Sequence, residues 1–139
     1  MQRPVPRGTR YLTDVTITST TCTDRVEFSF EHGVPGYRIA YTGAALAQSE
    51  DASGRHIPVA GRAFLVVHLA DAATARSSSS GISRTYSGPR RLPAPNAKYV
   101  REVVKTGEFE AVVTWAIGLD ERRPFTVSRS RSSLAVDIG

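Results

Sequence analysis

The side chains most able to do chemistry in this chain are arginines, and one group of them sits in a short polar turn. Asp120-Glu121-Arg122-Arg123-Pro124 interrupts an otherwise apolar, alternating stretch. The planar fork of arginine holds a carboxylate or phosphate through two parallel hydrogen bonds. Asp120 reads as the cap of the turn, which leaves Arg122 and Arg123 to hold such groups. Arg90 and Arg91 form a second pair, and Arg25 follows Asp24 at the head of another alternating stretch. Asp24-Arg25 is either a ligand-contacting surface or a structural ion pair or turn cap. Tyr37 and Tyr41 share one side of a strand with Ile39, where they could stack on sugars. Arg25, Tyr37, Tyr41, Arg90, Arg91, Asp120, Arg122 and Arg123 are therefore the candidate ligand-binding residues.

Other chemistries find less support. His32, His56 and His68 fall on a turn, a strand start and a strand interior, with no His-x-His or Cys/His spacing for a metal. His68 reads as a packed core histidine. Cys22 is the single cysteine. It excludes an intramolecular disulfide and reads as a small packing residue. Glu108 and Glu110 would project from one strand face roughly 7 Å apart, which suits a carboxylate pair at a glycosidic bond. The simpler reading is a solvated face. There is no Gly-x-Ser-x-Gly, no phosphate-loop glycine pattern and no Ser/His/Asp order. The expectation is a non-enzymatic chain without a cofactor.

The chain has 139 residues and a net charge of +5, carried by 16 Arg and 2 Lys. That length suits one domain with a real core. No apolar run approaches the ~18 residues of a membrane span. The start, Met1-Gln2-Arg3-Pro4-Val5-Pro6, lacks the apolar stretch of a signal peptide, so the protein either stays in the cell or is a mature or shortened chain. The basic residues Arg76, Arg84, Arg90, Arg91, Lys98 and Arg101, with Tyr86, keep open a second class in which a basic loop tracks nucleic-acid phosphates.

Positioning these residues requires strands. In Glu108–Phe125, Phe109, Ala111, Val113, Trp115 and Ile117 alternate with polar or smaller residues, and Gly118-Leu119-Asp120 breaks the pattern. Trp115 reads as core, or as a sugar platform with Tyr37 and Tyr41 if its face is open. Asp24–Glu31 and Tyr37–Tyr41 alternate around the turn His32–Gly36 and form a hairpin. Ala63–Leu69 is apolar on both faces, as in a strand covered on both sides. Ala44–Ser53 is a helical turn or a loop. Residues 1–12 look like a basic, Pro-rich tail, residues 13–139 like one domain, and 76–97 like a long, basic, mobile loop. Thr106-Gly107 reads as a turn. With eight or nine short strands and almost no helical period, the fold class is an all-β antiparallel sandwich of two sheets, with a barrel as the alternative.

The residues Asp24-Arg25-Val26 with Phe28 and Phe30, Pro35-Gly36-Tyr37 with Ile39 and Tyr41, Ser53-Gly54, Gly61, Gly107–Phe125 and Leu134–Ile138 follow one another in a known order. From about Thr13 to Ile138 the chain resembles the AMIN-like domain of actinobacterial envelope proteins and lipoproteins, related to the AMIN domain of cell-wall amidases. The most specific part is Glu110–Phe125, with Trp115, Gly118-Leu119-Asp120 and Pro124-Phe125. Cys22 and Thr23 stand where that family carries a histidine and an aromatic. Arg131-Ser132-Ser133 replaces its proline–arginine approach to the last strand. The resemblance implies a non-catalytic β-sandwich outside the cytoplasm that binds peptidoglycan, another wall polymer or an envelope protein.

Overall fold

A computed structural model describes residues 8–51 and 53–139. Strands β1 (Arg10–Ser19), β2 (Asp24–Phe30), β11 (Phe125–Arg129) and β12 (Ser133–Ile138), with the two-residue β5 (Ala72–Ala73), form one sheet in the order β11-β12-β2-β1-β5. Strands β3 (Gly36–Thr42), β4 (Ala63–Ala70), β8 (Arg91–Pro93), β9 (Val100–Phe109) and β10 (Val112–Leu119) form the other, in the order β3-β4-β10-β9-β8. The pairing is antiparallel except for β1 with β5. β6 (Ala75–Ser78) and β7 (Gly81–Arg84) make a separate hairpin. This is the expected two-sheet sandwich. β1 already begins at Arg10, inside the expected tail, and residues 1–7 of that tail lie outside the described residues.

The inward faces build the core. Leu12, Val26, Phe28, Leu134, Val136 and Ile138 meet Leu65, Val67, Leu69, Val113, Trp115 and Ile117, all fully buried. Trp115 is core, packed edge-to-face on Phe28 and Tyr86 at ring separations of 5.9 and 5.6 Å. Among the described residues its Nε1 finds no hydrogen-bond acceptor. The both-sided apolar character of Ala63–Leu69 has its cause on the other face. Phe64 and Val66 of β4 join Val104 and Ala116 in a second small cluster, covered by Ala47 of the short helix α1 (Ala44–Ala47) and by Val59.

Several local expectations are corrected. β2 and β3 do not form a hairpin; the turn His32–Gly36 carries the chain from one sheet to the other, where β3 pairs with β4. The strand around Trp115 does not begin at Glu108. Glu110 and Ala111, at φ of 50° and 63°, form a two-residue turn between β9 and β10, the left-handed pair that a type I′ hairpin requires. Thr106-Gly107 is not a turn but an irregularity within β9, where the register shifts by one residue. Gly118 and Leu119 do not break the strand but are its last two paired residues. A Cβ on Gly118 would lie 1.8 Å from the Ala60 carbonyl oxygen, so its missing side chain lets residues 57–62 cross the sheet. The 76–97 segment contains most of β6 and all of β7 and β8, and Tyr86 within it is buried. Tyr86 is therefore not available to the phosphate-tracking surface; its hydroxyl donates to the Pro89 carbonyl. Cys22 is exposed in the β1–β2 turn and is not a packing residue.

Candidate functional site

The turn after β10 brings four of the eight candidate residues together. Asp120 Oδ1 and Oδ2 accept from Arg123 Nε and Nη2 at 3.2 and 2.7 Å, and Oδ1 also caps the Glu121 N–H at 2.8 Å. The hydrogen bonds from Arg123, with the charges of Arg123 and Arg101, hold the Asp120 carboxyl below the usual carboxylate range. The Arg123 guanidinium lies 4.5 Å from the Tyr99 ring centroid and also meets Glu121 at 3.1 Å. Arg123 is thus spent on the turn itself. Tyr41 fastens the turn to β3: its hydroxyl donates to the Arg123 carbonyl (2.6 Å) and accepts the Arg123 N–H (2.9 Å). Its ring packs edge-to-face on Phe125.

Arg122 differs from its neighbour. Its guanidinium lies over the open face of the Tyr41 ring, 4.6 Å from the centroid. That stacking orients a cation without neutralising it. Two shallow grooves flank the turn. One is lined by Tyr41, Thr42, Phe64, Arg62 and Arg122, the other by Gly61, Arg62, Arg101, Asp120 and Arg123. Arg62 borders both. Arg101 stands 4.0 Å from Asp120. This end of the sandwich therefore offers Arg62, Arg101 and Arg122 around a self-neutralised Asp120–Arg123 pair. Sequence reading missed Arg62 and placed Arg101 only in the basic phosphate-tracking run, not beside this turn. Arg62 lies in an irregular crossing segment far from the turn in sequence, and only the crossing over Gly118 brings it near.

The other four candidates lie elsewhere. Arg25, on the outer face of the first sheet, forms a two-point ion pair with Asp137 at 2.7 and 3.0 Å. Asp24 beside it is fully buried and accepts from Ser19 Oγ and from the Lys98, Tyr99 and Val100 N–H groups at 2.7–3.1 Å. Burial alone would raise its pKa; those hydrogen bonds outweigh burial and bring it below the ordinary value. Asp24 and Arg25 do not pair with each other: Arg25 is engaged by Asp137, and Asp24 by Ser19 and residues 98–100. Arg91 is also engaged. It bridges Glu102 (2.9 Å) and the Pro58 carbonyl (2.8 Å), while Glu102 accepts the Ala60 N–H, so the two side chains tie down the crossing segment. Among the described residues the Arg90 side chain reaches only the Lys105 carbonyl, at 3.3 Å. Tyr37 is 39% exposed at the opposite end of β3 from Tyr41.

The carboxylate pair does not assemble. Glu108 accepts from Lys105 Nζ and from the hydroxyl and N–H of Thr74, whereas Glu110 stands in the hairpin turn. Among the described residues no three His, Cys, Asp or Glu side chains are grouped as for a metal ion. No described helix is long and apolar enough to cross a membrane. His68 does not pack in the core. It is half-buried on the outer face of the second sheet, where it lines a cavity of about 460 Å³ with Arg38, Asp51 and Thr114.

Compared with known families, residues 10–139 match the model of the AMIN-like domain. No curated protein and no solved structure matches the chain.

Proposed function

The chain belongs to the AMIN-like domain family, and from that premise we propose that it is a non-catalytic module holding peptidoglycan or a related wall polymer at the arginine-rich end of its sandwich. Family membership makes it a cell-wall-related binding module. The observation that carries the finer reading is Arg122 stacked on Tyr41, flanked by Arg62 and Arg101. Such a surface suits a polymer that bears carboxylates on a sugar and peptide framework. The free guanidiniums take the carboxylates in two-point contacts. Asp120, Arg123 and Tyr41 keep the turn in place. The proposal puts residues 13–139 outside the cytoplasm, as one module of a secreted protein or lipoprotein of an actinobacterial envelope. An upstream signal sequence or lipobox at the native gene start is the expected mark.

Sedimentation with purified cell wall tests the reading. The protein is expected in the pellet at low salt, and Arg122→Ala combined with Arg62→Ala is expected to return it to the supernatant. A wild-type protein that stays soluble at low salt removes the polymer reading. One observation then favours an envelope protein as partner: among the described residues β3 pairs only with β4, which leaves one side of Gly36–Thr42 as a sheet edge on which a partner strand could add. Retention on short nucleic acid, lost with added salt, would instead favour the phosphate-tracking class. Against it, Arg76 is paired with Glu31 and stacked on Tyr11, and Arg91 is paired with Glu102.

A further inference from the structure

The cavity on the outer face of the second sheet lies apart from the Arg122 turn and is built differently. Strand register sets a row of residues across four strands: Arg38 of β3 opposite His68 of β4, His68 opposite Thr114 of β10, and Thr114 opposite Gly107 of β9. Gly107 contributes no side chain to the row. A Cβ there would stand 3.1 Å from Asp51 Oδ2, so the glycine leaves room for a carboxylate coming down from the covering segment. Asp51 takes that place and accepts the Thr114 hydroxyl at 2.9 Å.

This hydrogen bond fixes the histidine. The hydroxyl of Thr114 has one proton and donates it to Asp51. Toward His68 Nδ1, 3.4 Å away, it can therefore only accept. Nδ1 carries the ring proton and Nε2 is left as an acceptor. Burial, and then the charge of Arg38, lower the pKa of His68 and keep the ring neutral. Glu50 adds a second carboxylate to the covering side, held by Ser53 Oγ at 2.6 Å and faced by Arg55 at 3.5 Å. Leu46, 73% exposed, supplies an apolar wall with Ala47 and Val66. Among the described residues Arg38 has no ion-pair partner.

We propose that this cavity binds a small zwitterion of the α-amino-acid type, with its carboxylate on Arg38, its ammonium at Asp51 and Glu50, and a short aliphatic side chain against Leu46 and Val66. The charge layout selects that class. A simple anion meets two carboxylates, and a simple cation meets Arg38. His68 Nε2 gives the ammonium, or an amide N–H, a further acceptor. The cavity volume of about 460 Å³ is within the range of small-ligand sites, roughly 300–1,000 Å³. A free amino acid and a dipeptide present the same two charged ends.

Titration of isotopically labelled protein, followed by amide resonances, tests the proposal with D- and L-alanine, the alanyl-alanine dipeptides, acetate and methylammonium as probes. Saturable shifts at Arg38, His68 and Thr114 are expected with an amino acid or a dipeptide and not with acetate or methylammonium. Tighter binding of alanine assigns a free amino acid; tighter binding of a dipeptide assigns a peptide. Arg38→Gln, on an exposed edge strand, is expected to weaken binding at least about tenfold. Asp51→Asn is expected to do the same, and if it loosens the covering segment, Arg38→Gln carries the test. No saturable shift with any zwitterion, acetate binding as well as alanine, or an unchanged affinity in Arg38→Gln would each overturn the proposal. Wall sedimentation depends on Arg62 and Arg122 and not on this cavity, so either reading can fail alone.

Discussion

Two adjacent arginines in one turn are held differently, and the difference lies in what their guanidiniums touch. Arg123 is held by Asp120 and Tyr99, whereas Arg122 touches only the face of Tyr41 among the described contacts. Arg122→Ala is expected to lose wall retention while the melting temperature stays put. Arg123→Ala is expected to lower the melting temperature, and a thermal scan of the two variants separates the roles. Asp24 makes a sharper prediction. It is buried and accepts four hydrogen bonds, three of them from the backbone N–H groups of residues 98–100. Asp24→Asn turns an amide toward those donors and is expected to cost about 2–4 kcal/mol in denaturant unfolding. The same carboxylate sets an acid limit. Its folded pKa lies below the ordinary value of 3.8, so its contribution is complete above that value and disappears as pH falls through the lower, folded one. Glu108 acts in the same direction: burial raises its pKa, and hydrogen bonds from Lys105 and Thr74 more than reverse this. Melting temperature is expected to be flat above about pH 5 and to fall below about pH 4. The fall should be shallower in Asp24→Asn.

Among the elements, β10 carries both faces of its sheet. Its odd positions from Val113 to Leu119 fill the sandwich core, and its even positions support the covering segment. Trp115→Ala is expected to cost about 3–5 kcal/mol, because it empties the largest buried side chain of the core. Gly118→Ala has a different cause. Its added methyl would meet the Ala60 carbonyl at 1.8 Å, and the crossing of residues 57–62 would have to lift. A loss of about 1–3 kcal/mol is expected. It should be accompanied by weaker wall retention, since Arg62 belongs to the lifted segment. Ala→Gly at Ala60, which leaves the carbonyl in place, is not expected to rescue the variant. Stability and pelleting measured on the same samples decide both points.

At the scale of the molecule, the sandwich separates two surfaces of unlike character. Among the described residues, one end has the unpaired guanidiniums of Arg62 and Arg122, with Arg101 4.0 Å from Asp120, around the Asp120–Arg123 ion pair. The outer face of the second sheet has a polar cavity with both signs of charge. A polymer held by exposed arginines is screened by salt, with a Debye length of about 8 Å at 0.15 M. Wall retention is therefore expected to fall steadily as salt is raised from low to physiological strength. Retention that is indifferent to salt would point to stacking or to a protein partner.

Much of this was legible in the sequence, because a strand announces itself locally. Period-two alternation in β2, β3 and β10, the apolar run of β4 and the near absence of helical period were sufficient for a two-sheet sandwich, and ordered residues from Asp24 to Ile138 for the family. The Asp120–Arg123 turn was legible too, since its residues are neighbours in the chain. What the sequence could not show depends on crossings between distant segments. Whether Arg122 or Arg123 stays free depends on where Tyr41 and Tyr99 lie. That Asp24 is a buried acceptor depends on residues 98–100 returning to it. The cavity of Arg38, His68, Thr114 and Asp51 exists only through strand register and a loop folded over it. Gly107 and Gly118 were the visible traces of such crossings, glycines inside strands where Asp51 and Ala60 respectively pass close. Local pattern determined the elements, and tertiary packing decided which polar side chains are spent inside the protein and which stay exposed.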